Sequence, residues 1–300
     1  MRTTPFTTPR TTPRTTPRTT PRTTPRTTPR TTPLAVALMF AAPMMAQQPA
    51  PAPSESRSER FMRNCDNNGD RGRDQFCEVR DQTVKAPQRA LSIDGRDNGS
   101  VRVYGWDKNE VLVRALVQAS AESPAEAKEI AKDIKILTDG DRIRADGPSQ
   151  QRHTSWWVSY EVWVPRKTSL DAETSNGSVS VDSVEGRMNL RAENGSISLR
   201  DVAGEVRGRT ENGSVNAQLG GTTWNGAGLD LTTSNGSVTL EIPKTYNARL
   251  ETGTVNGGMN IDFPITVQGS IGRRITTALG SGGPLVRAVT TNGGVRIRQR

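Results

Sequence analysis

Beyond residue 90 the chain is dominated by apolar and polar positions that alternate with period two. Trp156, Val158, Tyr160, Val162 and Val164 form the longest clean run, which predicts a half-buried strand that Pro165 ends. Leu91 and Ile93 precede Asn98-Gly99, and Val101 and Val103 follow it, a hairpin signal. Val111 to Val117 is nearly all apolar and predicts a strand buried on both faces. The alternation breaks once for a helix. Ser123-Pro124-Ala125-Glu126 supplies an N-cap serine, a proline at the first helical position and a glutamate that completes a capping box. Ala127, Ile130, Ala131 and Ile134 then share one helical face. From Ile136 to Arg144 the strand pattern returns around an Asp139-Gly140 turn.

After Leu170 the alternation becomes a repeat. Asn-Gly-Ser occurs at Asn176, Asn194, Asn212 and Asn235, in steps of 18, 18 and 23 residues. Asn256-Gly257 and Asn292-Gly293 are looser copies, and Asn98 is an outlying one. Val179, Ile197, Val215 and Val238 are equivalent after the corner, and Leu170, Leu190, Val206 and Leu229 before it. Asn-Gly suits a corner because both residues accept positive φ, a stronger reason for the Asn-x-Ser triplets than glycosylation. A kept period means units that bury their apolar faces against neighbours. The fold class expected is all-β with one short helix, as a β-solenoid-like stack of strand repeats with Asn-Gly corners. An antiparallel meander is the alternative.

Composition changes the picture at the N-terminus. Residues 1–33 are a Thr-Thr-Pro-Arg tract with prolines too frequent for regular structure, and it is expected to be disordered. Taking away its seven arginines lowers the formal charge from +9 to +2. The remainder is near neutral, which argues against a nucleic-acid partner. Residues 34–46, from Leu34 through Phe40 to Ala46, combine a short apolar run with small residues and read as the core and cleavage region of a signal peptide. The run is too short to span a bilayer, and no other segment offers a span once it is removed. Residues 47–60 read as a Pro-rich linker, 61–90 as a disulfide loop segment, 91–169 as an N-terminal β part with the helix, and 170–300 as the β-repeat part. Cys65 and Cys77, the two cysteines of the chain, would pair in an oxidising compartment.

Candidate chemistry is sparse. His153 is the sole histidine and lies in a polar loop, with no Gly-x-Ser-x-Gly elbow to supply a serine nucleophile. Asp171, Glu173, Glu193, Glu211, Asp230 and Glu251 lie near corners at unequal offsets, so they form no fixed carboxylate pair. Asp66-Asn67-Asn68-Gly69-Asp70 mimics the start of a calcium loop, but Arg71 stands where glycine is required and no closing glutamate follows. No catalytic residue, metal site or cofactor is expected. Trp157 and Trp163 face away from the Trp156 side of their strand and are the one candidate ligand surface; the alternative is that they cover the helix beginning at Pro124.

The run from Gly99 to Ala115, the capped helix, and the stretch from Val162 through the following Asn-Gly-Ser units resemble the bacterial toast-rack domains over residues 91–300. These are candidate adhesins and domains of unknown function in envelope-associated proteins. The resemblance implies a stacked-strand fold and a non-catalytic envelope role, and carries over no site. The reading is an exported protein, periplasmic or at the cell surface, serving as a scaffold or interaction module for an envelope protein or glycan. A carbohydrate-active enzyme on a β-helix is the alternative.

Overall fold

A computed structural model describes residues 56–67, 73–262 and 272–300, which belong to the unit Pro53–Arg300. The Thr-Thr-Pro-Arg tract, the signal segment and residues 47–55 lie outside the described residues, as do the side chains of the calcium-like run Asp66–Asp70.

Helix α1 (Arg57–Asn67) comes first, then β1 (Asp74–Lys85), β2 (Leu91–Asp94), β3 (Val101–Trp106) and β4 (Glu110–Ala121). Helix α2 (Pro124–Asp133) is followed by β5 (Lys135–Leu137), β6 (Arg142–Asp146) and β7 (Ser155–Pro165). The repeats give β8 (Leu170–Thr174), β9 (Val179–Asp182), β10 (Glu185–Ala192), β11 (Ile197–Arg200), β12 (Ala203–Thr210) and β13 (Val215–Gln218). The chain ends with β14 (Gly228–Asn235), β15 (Val238–Ile242), β16 (Ala248–Asn256), β17 (Met259–Asp262), β18 (Arg274–Leu279), β19 (Leu285–Asn292) and β20 (Val295–Gln299). Among the described residues two helices form, where the sequence pattern gave one. The unexpected one, α1, lies across residues read as linker and disulfide loop, and β1 occupies Asp74–Lys85 of that loop segment.

The strands form two facing ten-stranded sheets. The first runs β1-β4-β7-β3-β9-β11-β13-β15-β20-β17 and the second β18-β16-β19-β14-β12-β10-β8-β2-β6-β5. Each repeat contributes one strand to each sheet, and β8 to β15 stack in parallel, rung on rung. The fold is therefore solenoid-like. Antiparallel pairs occur at the ends, as β1·β4, β4·β7, β5·β6 and β16·β18. Chain order fails at the far end: β19 sits between β14 and β16, and β20 between β15 and β17. The last coil of the sequence is thus an inner rung.

The core fills the space between the sheets, with one inward column per alternate strand position. Val101, Val179, Ile197, Val215, Val238 and Val295 align across the first sheet, all at most 2% exposed. Leu170, Met188, Val206, Leu229 and Val286 align across the second. Met188 is therefore the equivalent of Leu170. Leu190, expected there, lies two residues on and aligns with Ala172 and Gly208, because the equivalent position stands six residues before each corner asparagine, and in this repeat that is Met188. Helix α2 closes the N-terminal end, with Ala131 and Ile134 in the core. Its N-cap is Ser123, whose side chain accepts from the Glu126 amide at 3.3 Å.

The corners follow a different rule from the one expected. None of Asn98, Asn176, Asn194, Asn212 and Asn235 has positive φ, nor do Gly177, Gly195, Gly213 and Gly236. A Cβ on Gly195 would overlap the carbonyl oxygen of Gly177, and one on Gly213 that of Gly195. Glycine is required because stacked rungs touch there. The asparagines form a continuous amide ladder. Asn176 Nδ2 donates to Asn98 Oδ1 at 3.1 Å, Asn194 to Asn176, Asn212 to Asn194 and Asn235 to Asn212 at 2.9 Å, and Asn292 to Asn235 and Asn256 to Asn292 at 2.8 Å. A buried second ladder runs beside it. Thr174, Thr210, Thr233, Thr290 and Thr254 each donate to the corner glycine carbonyl of the preceding rung, at 2.6–2.8 Å. Ala192 holds the same register position and breaks the series. Among the corner glycines Gly293 alone has positive φ (157°), and positive φ is found on the return bends, at Ser183 (58°) and Asp201 (48°).

Candidate functional site

Two outer sheet faces and one helix-covered patch carry the polar chemistry. On the first sheet, β7 places Trp157, Ser159, Glu161 and Trp163 outward, opposite the inward Trp156, Val158 and Tyr160. Trp157 and Trp163 are six residues apart, about 20 Å along the strand, and both are half-buried. They make no joint platform. Trp163 stacks on Tyr104 with ring centroids 5.5 Å apart, and the Arg114 guanidinium lies 5.4 Å from the Trp163 centroid. Arg114 in turn bonds Asp81 through Nε and Nη2, at 2.9 and 2.8 Å.

The helix over this face is α1; α2 packs on the core side instead. Cys65, near the C-terminal end of α1, is disulfide-bonded to Cys77 of β1, with Cα atoms 6.2 Å apart. Arg57, at its start, faces Glu161 of β7, with Nε 3.9 Å from the carboxylate. Between these anchors lies Leu116 of β4, 1% exposed and outside the main core. Glu161 is buried to 5% exposure. In register beside it are Arg102 and Arg114, so its carboxylate lies among three guanidinium groups, of which it pairs with that of Arg57. Burial, with Arg102 nearby, pulls Arg57 below its ordinary pKa, and Glu161 opposes that. The pairing of Cys65 with Cys77 was legible in the sequence. The Glu161 cluster was not: Glu161 and its arginines are far apart in the chain, and only strand register joins them.

His153 Nδ1 lies 3.6 Å from Glu122, and both side chains are exposed. Nothing around them desolvates or orients a base. The corner carboxylates project from the outer face of the second sheet. Glu173, Glu193 and Glu211 line a broad groove of about 800 Å³ together with Arg144, Arg191 and Arg209. Asp230 and Glu251 are both held by Arg287. A glycosidase general acid needs a carboxyl kept protonated by burial, whereas Glu173, Glu193 and Glu211 are exposed and interleaved with arginines. Among the described residues no group of three His, Cys, Asp or Glu side chains is placed to hold a metal ion, and no helix is long and apolar enough to cross a membrane.

The outer face of the first sheet holds a second groove, of about 450 Å³, across β9, β11, β13, β15 and β20. Asp182 and Arg200 stand on its rim, joined by a hydrogen bond of 2.6 Å from Arg200 Nε.

Solved structures with a related outline come from bacteria. A candidate cell adhesion protein from Clostridium sporogenes ATCC 15579 is 12% identical, covering 74% of this chain and 100% of its own, with a TM-score of 0.39. A candidate adhesin from Bacteroides fragilis NCTC 9343 is 11% identical, covering 75% and 97%, at 0.30. A candidate lipid-binding protein from Parabacteroides distasonis ATCC 8503 is 9% identical, covering 74% and 96%, at 0.33. No curated protein matches the chain. The model of the family Toastrack DUF4097 matches residues 131–298. That span holds α2's end and every repeat rung but the one at Asn98, and is more than half of the sequence. The chain belongs to the Toastrack DUF4097 family.

Proposed function

We propose that this is an exported, non-enzymatic protein of the bacterial envelope, whose stacked body is a rigid scaffold for binding a protein or glycan partner. The observation that carries the reading is the Cys65–Cys77 bond fastening α1 to the outer sheet face. Such bonds persist in oxidising compartments and are rare in the reducing cytosol. The apolar run Leu34–Ala42 ahead of it supports export by a cleaved signal. An interaction role is supported by where the polar side chains lie: two long outward grooves on a body whose core and corners are fully committed to stacking.

Intact-mass spectrometry of protein recovered from fractionated cells tests this. The expected species begins near residue 47, sits in the envelope fraction, and gains about two daltons on reduction as the disulfide opens. A full-length, reduced, cytoplasmic protein would sink the proposal.

A further inference from the structure

From the groove on β9, β11, β13, β15 and β20 we infer a binding site for an uncharged, linear polysaccharide laid across the rungs. The inference rests on the interaction-module reading and gives it a ligand class. Its outward positions form two straight rows. One is Ser180, Ser198, Asn216, Thr239 and Arg296; the other is Asp182, Arg200, Gln218, Glu241 and Arg298. None carries an apolar side chain. A protein partner would need buried aromatic or aliphatic anchors, and a lipid would need apolar surface.

What the groove offers is hydrogen-bonding capacity. Among the described residues the side chains of Ser180, Ser198, Asn216, Gln218 and Thr239 bond no other protein group. The contrast is with the corner asparagines a few residues away, each tied into the amide ladder. Asn216 and Gln218 present both donors and acceptors, as sugar hydroxyls require. The first row is uncharged from Ser180 to Thr239; in the second, Arg200 and Glu241 flank Gln218 in register, and Arg200 is paired with Asp182. Rungs recur about every 4.8 Å, close to the advance per ring of an extended glycan. Equivalent contacts can therefore repeat along the chain without strain. At the β3 end the second row continues in register into Tyr104, stacked on Trp163. That ring closes the row with an apolar face.

The test uses the oxidised protein with its native disulfide against an array of neutral linear hexasaccharides: β-1,4- and β-1,3-glucan, β-1,4-xylan, α-1,4-glucan and β-1,4-N-acetylglucosamine. Hexagalacturonate is the charged comparison. Saturable binding of a neutral hexasaccharide is expected. The double variant N216A/Q218A should weaken it about tenfold or more with an unchanged melting temperature. Arg191→Ala, on the other sheet, should leave it unaltered. Three results would each overturn the inference: no neutral hexasaccharide bound, equal affinity in N216A/Q218A, or binding of hexagalacturonate alone that salt abolishes. The last would assign the groove to Arg296 and Arg298 as an anion site. Because the mass measurement reports export independently, failure here leaves the envelope reading standing.

Discussion

At the scale of single residues, the corners are governed by contact between rungs. Gly195 lies against the Gly177 carbonyl, and Asn194 both donates to Asn176 and accepts from Asn212. Asn194→Asp keeps the size and the acceptor but removes the donor, setting oxygen against the oxygen of Asn176. The expected loss is about 1–2 kcal/mol, read as a lower urea midpoint at unchanged slope. Ala192 offers the opposite change. It stands where Thr174 and Thr210 cap glycine carbonyls, so Ala192→Thr should complete the ladder onto Gly177 and stabilise by about 1 kcal/mol. A lower melting temperature for that variant would show that the Ala192 site cannot admit the hydroxyl. The repeat of Asn and Gly was visible in the sequence. The reason for it was misjudged, because positive φ is a property of one corner and stacking is a property of two.

At the scale of elements, α1 depends on its two anchors. Its eleven residues carry Arg57, Arg60 and Arg63, and a helix this short is marginal alone. Opening Cys65–Cys77 removes a constraint worth about 3 kcal/mol in the chain-entropy model. Reduction is expected to raise amide exchange across residues 57–67 and at β1, while β8 to β15 keep their protection. Glu161→Gln acts at the other anchor. It leaves Arg57 without its carboxylate partner, costing about 2 kcal/mol and raising exchange in the same helix. Uniform exchange across all strands after either change would mean that α1 is integral to the stack. Sequence reading placed α2 well, since its cap and apolar face are local. It passed over α1, whose anchors Cys77 and Glu161 lie on two different strands.

At the scale of the whole molecule, the last coil matters most. Strands β19 and β20 separate the β14/β15 rung from β16/β17, so the final sixteen residues hold the far end to the body. Truncation after Pro284 should expose 248–279 to limited proteolysis, while a protected fragment from residue 91 to about 242 survives. If 248–279 stayed protected, the far end would be held by contacts other than β19 and β20. The same arrangement implies that the far end completes late in folding, since β14 pairs with a strand 57 residues on and long-range pairing is slow.

Period-two alternation and a recurrent Asn-Gly determined, by themselves, that the chain builds β-rungs and which side chains face inward in most of them. These are local facts: a side chain alternates with its own strand, and a rung repeats its own pattern. Leu190 was expected as the partner of Leu170, but the six-residue offset from the corner asparagine and the register both give Met188. Tertiary structure decided that the final coil lies inside the stack, that Glu161 is buried under α1, and that Asn216 and Gln218 line a groove. Each of these depends on which strands lie side by side, a choice made by long-range pairing and close packing that no window of sequence contains.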